Sequence, residues 1–232
     1  MADVEIETHV DGLGDLYTCH DSPFDEALEA ILKKSDELIT LRDLAYARIK
    51  EGDRFGSISQ DITYVKEGSL FVPRAANKRI WLRNSLILDN PSAAAEAHRK
   101  GKEYLLPVSF SVDRYLEQIS KDNYFILTDT TPVPTNRFGE DARMRWAFGD
   151  VAQQYGQLLA DANIKNLHIY MWNDGNHIDI QFRPFANQLA SYRLGFDAAT
   201  GISGHENRLH RGYFNTVRGV HRETAEGGMQ KK

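Results

Sequence analysis

The chain has 232 residues, 41% of them hydrophobic and 26% charged, with a formal net charge of −5 and a single cysteine, Cys19. This length buries a core without disulfides, no stretch approaches the 18 apolar residues of a membrane span, and one cysteine excludes both a disulfide framework and a cysteine-cluster zinc site. The acidic start MADVEIETHVDGLGD has no basic-then-apolar leader pattern, so the reading is a soluble, cytoplasmic protein with no membrane contact.

Ser22-Pro23, followed by Asp25 and Glu26, reads as a helix start, with a hydroxyl cap and acids in the first turn. Phe24, Leu28, Ile31, Leu32, Leu38, Ala45 and Ile49 then recur at helical spacing until Gly52. One long helix is expected, with an interruption near Ser35. Residues 61–73 (DITYVKEGSLFVP) read as a hairpin turning at Lys66–Ser69, and 78–88 as a strand or short helix. Asn90-Pro91 starts a short helix closed by Gly101, and a second short helix covers 112–121.

Residues 123–134 (NYFILTDTTPVP) give a strand running into a proline-punctuated loop. A strong helix follows over 139–162, with Phe148, Val151, Ala152, Tyr155, Leu158 and Leu159 on one face. Residues 186–194 read as a short helix, and 195–232 as glycine-rich polar chain ending in a frayed tail at 224–232. The expected fold class is α+β: an N-terminal long helix and a mainly antiparallel central sheet, with a 167–183 hairpin packed on helix 139–162. The division expected is 1–122 and 123–223, either as two halves or as one domain.

Residues 167–183 (LHIYMWNDGNHIDIQFR) carry the most geometric content. Asp174-Gly175 suits a two-residue type I′ turn, which needs positive φ at both central positions. That register puts Ile169, Met171, Ile178, Ile180 and Phe182 on a core face. The opposite face takes His168, Tyr170, Trp172, His177, Asp179, Gln181 and Arg183. A sheet face of rings and bases is the surface on which single-stranded nucleic acid stacks and pairs its phosphates. A half-solvated sheet also carries such residues with no ligand at all.

Charge is unevenly spread. Residues 1–60 hold 14 acids against 6 bases, whereas 74–102 hold seven bases (Arg74, Lys78, Arg79, Arg83, Arg99, Lys100, Lys102) against Asp89 and Glu96. Residues 203–222 add Arg208, Arg211, Arg218 and Arg222, with His205, His210 and His221, against Glu206. Lys78, Arg79, Trp81 and Arg83 interleave bases with an indole, as a nucleic-acid-binding strand does. The arginine- and glycine-rich 203–222 segment suits an anion-binding loop. No Walker loop, dinucleotide fingerprint, nucleophile elbow or H-E-x-x-H motif is present.

Three function classes follow. The first is a non-enzymatic accessory protein of a phage, plasmid or bacterial system, contacting nucleic acid or a nucleoprotein partner through Tyr170, Trp172, Arg183, Lys78, Arg79, Trp81, Arg83, Arg208, Arg211, Arg218 and Arg222. The second is a metal- or phosphate-dependent enzyme, using His177 or His168 as acid/base, Asp179 as its orienting partner or a ligand, and Arg208, Arg211 or Arg218 as the anion clamp. His177-x-Asp179 has the spacing of the first two ligands of an iron facial triad, with His210 among the candidates for the third, although such a tripeptide often arises by chance. The third is a subunit of a virion or other assembly, homo-oligomeric or bound to a protein partner. No particular cofactor is indicated.

Overall fold

The computed structural model describes residues 2–20, 22–52, 58, 62–71, 79–93, 96, 100, 106–107, 109–129, 131–167, 178–179 and 215–222. The helices include α1 (Phe24–Leu32), α2 (Leu41–Glu51), α3 (Val112–Gln118), α4 (Ala142–Phe148) and α5 (Ala152–Asp161). The first six strands are β1 (Glu5–Val10), β2 (Gly14–Cys19), β3 (Glu37–Leu38), β4 (Ile62–Tyr64), β5 (Gly68–Phe71) and β6 (Arg79–Leu82). They are followed by β7 (Tyr124–Leu127), β8 (Val133–Pro134), β9 (Asn166–Leu167), β10 (Ile178–Asp179) and β11 (Asn215–Arg222).

The first sheet runs β1-β2-β11-β3, with β4 pairing β11 in parallel. The second runs β10-β5-β6-β7, every described pair antiparallel, and β8 pairs β9 in a two-stranded ribbon. Helices beside mainly antiparallel sheets make the fold α+β. Both larger sheets take strands from each side of residue 122: β11 joins β1–β4, and β7 and β10 join β5 and β6.

The largest core cluster draws Leu16, Ile39, Leu44, Trp81, Leu127, Phe138, Phe148, Tyr155, Leu159, Leu167 and Val220 from both sheets and from α2, α4 and α5. Inside it, buried Arg48 donates from Nε to the Ile58 carbonyl and from Nη1 to the Tyr155 hydroxyl at 2.9 Å, tying α2 to α5. Hydrogen bonds of this kind offset part of the cost of burying a charged side chain.

Three expected elements take a different form. The long N-terminal helix, expected with an interruption near Ser35, is instead two separate helices, α1 and α2, with β3 between them. The Ser35 hydroxyl donates to the Ile31 carbonyl at 2.9 Å, and the next residues are drawn into the first sheet, Asp36 N to Val220 O and Ile39 N to Arg218 O. Sheet pairing thus overrides a hydrophobic period that runs on through the break. The 61–73 hairpin also dissolves, since β4 pairs β11 whereas β5 pairs β6 and β10. Finally, β11 is a central strand where polar chain was expected. Residues 217–220 are buried on both faces, so no alternation advertised a strand.

The helix expected over 139–162 is present with an offset, α4 and α5 being joined by a 3-10 turn at Gly149–Val151. Gly149 has φ of +59°, a left-handed conformation that favours glycine. The Asp174-Gly175 turn and the 186–194 helix lie outside the described residues.

Candidate functional site

Where the ends of the two large sheets meet α2, the described residues enclose a cleft of about 530 Å³. It is built from six separated stretches. The N-terminus of α2 gives Thr40, Arg42 and Asp43; the β4–β5 connection gives Lys66 and Glu67; the end of β6 gives Arg83 and Asn84. Asp122 and Asn123, with Gly149, close one wall, and Arg222 at the end of β11 closes the other.

Local chemistry fixes each part. Thr40 caps α2, its hydroxyl accepting from Asp43 N at 3.1 Å and donating to the Asp43 carboxylate at 2.7 Å. The β4–β5 connection is held between α2 and the end of β6, with Lys66 N donating to Ile39 O and Ser85 N to Lys66 O. Gly68, the next residue along, lets this chain lie against Ser85, because a Cβ there would come within 2.7 Å of the Ser85 Cα.

Glu67 forms the floor. It is 1% exposed, and its Oε2 accepts from Leu41 N at 2.9 Å. Arg83 Nη1 lies 3.6 Å from its Oε1. Burial pushes the Glu67 carboxyl up to about 7, helped by the nearby charge of Asp43 and opposed by the Leu41 and Glu67 amides and by Arg83. The Arg83 guanidinium lies 4.1 Å from the centroid of the Trp146 ring and donates from Nη2 to the Trp146 carbonyl. Burial lowers Arg83 below the ordinary arginine value, and Glu67 works against that shift.

The rim is a chain of ion pairs. Lys66 Nζ lies 2.7 Å from Glu37 Oε2; Arg222 meets Glu37 Oε1 at 2.5 Å and Asp43 Oδ2 at 3.0 Å. Arg42 makes a fork on Asp150, Nε to Oδ1 at 2.7 Å and Nη2 to Oδ2 at 3.0 Å. Burial resists ionisation of Glu37, but Lys66 and Arg222 outweigh it and hold that carboxyl below its usual range. Four cations and the carboxylates Asp43, Glu67 and Asp122 therefore share one concave space.

Of the residues selected from sequence, Arg83 and Arg222 come together here, joining the two basic islands in one cleft. Trp81 is 1% exposed, packed with its ring centroid 5.9 Å from that of Trp146. Arg218 is fully buried, forked on Glu7 and donating to Thr63. Arg79 starts β6, opposite Leu127 of β7 and Phe71 of β5. Asp179 lies in β10 opposite Ser69, two residues on from Glu67. His168, Tyr170, Trp172, His177, Arg183, Lys78, Arg208, His210 and Arg211 lie outside the described residues. Among the described residues, no group of three or more His, Cys, Asp or Glu is placed to hold a metal ion.

Sequence reasoning missed Arg42, Asp43, Lys66 and Glu67. The Thr40-x-x-Asp43 cap was a usable signal, passed over because the segment beyond the Ser35 interruption was read as a continuation of the same helix. Nothing local marks Glu67, whose burial is purely tertiary.

No family model and no curated protein sequence matches this chain. Among solved structures it is similar to a protein described in "Accommodation of massive sequence variation in Nanoarchaeota by the C-type lectin fold", at 16% identity and a TM-score of 0.53, over 94% of this chain and 100% of that one. At that identity the likeness establishes the fold, that of a C-type lectin. Among the described residues, no helix is long and apolar enough to cross a membrane.

Proposed function

We propose that this chain is a non-enzymatic binding protein that receives a phosphate of a nucleic acid or nucleoprotein partner in the Glu67–Arg83 cleft. The observation that carries this reading is the convergence of Arg83 and Arg222, 139 residues apart in sequence and from two different basic islands, with Arg42 and Lys66 on a single concavity. Guanidinium forks suit phosphate oxygens in geometry as well as charge. A cleft of about 530 Å³ takes a terminal group or one splayed nucleotide, not a duplex.

The acidic total of −5 limits counterion release to the few phosphates that reach the cleft, so affinity is modest and selective for single strands or ends. β10 runs beside β5, the strand that begins at the cleft floor. The neighbouring structure's fold is described as accommodating massive sequence variation, which fits a scaffold used for recognition. The single buried Cys19 suits a cytoplasmic setting.

The test is fluorescence anisotropy with a labelled single-stranded oligonucleotide across a salt series. Binding should weaken with salt, the logarithmic slope being about −0.7 for each phosphate neutralised, and Arg222→Gln should reduce that slope by about 0.7. Absence of binding at low salt, or binding indifferent to Arg222→Gln, overturns the proposal.

A further inference from the structure

Resting on the cleft reading above, we propose that Glu67 is the specificity-determining residue of this site: it takes up a proton as an oxyanion binds and then donates that proton in a hydrogen bond to the ligand. Glu67 shares the cleft with charged groups from the elements that line it. These are Arg42 and Asp43 from α2, Lys66 from its own segment, Arg83 from β6, Asp122 from the short turn before β7 and Arg222 from β11.

Of these cations, Arg83 alone has a described ion pair with Glu67, at 3.6 Å, and the Glu67 side chain is 1% exposed. Lys66 is paired with Glu37, Arg42 with Asp150, and Arg222 with Glu37 and Asp43. An anion that shares Arg83 weakens one of the influences that favour the ionised carboxylate, the others being the Leu41 and Glu67 amides, and adds a negative charge beside it. Both effects favour the protonated carboxyl. A carboxylic acid and a guanidinium are then both donors, facing a ligand whose oxygens only accept. An ammonium ligand, or one presenting only donors, leaves that acid unmatched.

The free group sits at about 7, so proton uptake occurs where it is measurable. The account predicts uptake of about half a proton per ligand at pH 7, approaching one near pH 8, and affinity falling about tenfold per pH unit above neutrality. Sulfate is the probe, because it has no proton to lose across this interval. Titration calorimetry of the full chain in buffers of different ionisation enthalpy counts the protons directly. Glu67→Gln keeps a donor but cannot titrate, so it should bind sulfate with affinity that is flat between about pH 6 and 8; a thermal melt checks that it is folded.

Proton uptake by the wild-type chain together with a flat profile in Glu67→Gln supports the inference. Sulfate bound with no proton uptake overturns it and leaves the cleft reading standing. A pH slope that persists in folded Glu67→Gln overturns the assignment to this residue. No sulfate binding at any pH overturns the cleft reading and this inference with it. If Glu67→Gln does not fold, the wild-type proton count decides.

Discussion

Arg218 of β11 reaches past β2 to place Nε 2.6 Å and Nη2 2.8 Å from the two carboxylate oxygens of Glu7, 211 residues earlier in the chain. The pair clamps the outer strand of the first sheet to its centre, with Thr63 of β4 accepting from the same guanidinium. Desolvation makes such a pair a weak net source of stability but a severe loss when one partner is removed. Arg218→Met should lower unfolding free energy by about 3 kcal/mol, or roughly 6–12 °C in melting temperature. Adding Glu7→Leu should recover most of that. Urea unfolding of the two variants checks it; equal losses in single and double would show that the contribution is not the ion pair.

The buried Glu67 gives stability an unusual pH dependence. Its folded value of about 7 stands above the ordinary 4.5, so between these values the folded chain holds more protons than the unfolded one. Stability from this group is therefore full below about pH 4.5 and declines as pH rises through 7. The decline amounts to about 3 kcal/mol. Comparing wild type with Glu67→Gln in urea at about pH 5 and 8 isolates it, since the other carboxyls titrate alike in both. The variant should gain on the wild type as pH rises; a constant difference would mean that Glu67 stays ionised throughout.

Gly68→Ala forces a Cβ within 2.7 Å of the Ser85 Cα, backbone that cannot swing aside. The expected cost is about 1–3 kcal/mol. Because Gly68 follows Glu67, the same change should also weaken sulfate binding, by about tenfold. Unchanged melting temperature and affinity would show that the close approach is easily relaxed.

The rim behaves differently from the floor. Asp150 is 70% exposed and its fork with Arg42 lies in solvent, so Asp150→Asn should cost under about 1 kcal/mol of stability. It also removes a negative charge that competes with the ligand for Arg42. Oligonucleotide affinity at low salt should rise about threefold, with the gain fading as salt screens it. A fall in affinity would place the ligand away from this rim.

How legible all this was in the sequence depends on what decides each element. The α3 helix and the helical stretch around Ala152–Asp161 follow from local period, capping and glycine, and sequence reading finds them. An interruption near Ser35 is legible, but the strand β3 that fills it and the central place of β11 are set by long-range pairing, Asp36 to Val220 and Ile39 to Arg218. Arg218 illustrates the difficulty best. As a sequence letter among histidines and glycines it reads as a phosphate contact, yet its guanidinium is spent on Glu7 inside the fold. Arg83 and Arg222 carry the same letter and do reach the cleft. Only the position of the strands separates the three.

The most direct measurement is an NMR titration of the arginine Nε–H resonances and backbone amides with the single-stranded oligonucleotide. Saturating shifts should centre on Arg83 and Arg222 and on the amides of Glu67 and Gly149, with the buried Arg48 and Arg218 unmoved. Saturable binding that leaves Arg83, Arg222 and the Glu67 amide in place, while shifting residues elsewhere, would contradict the account.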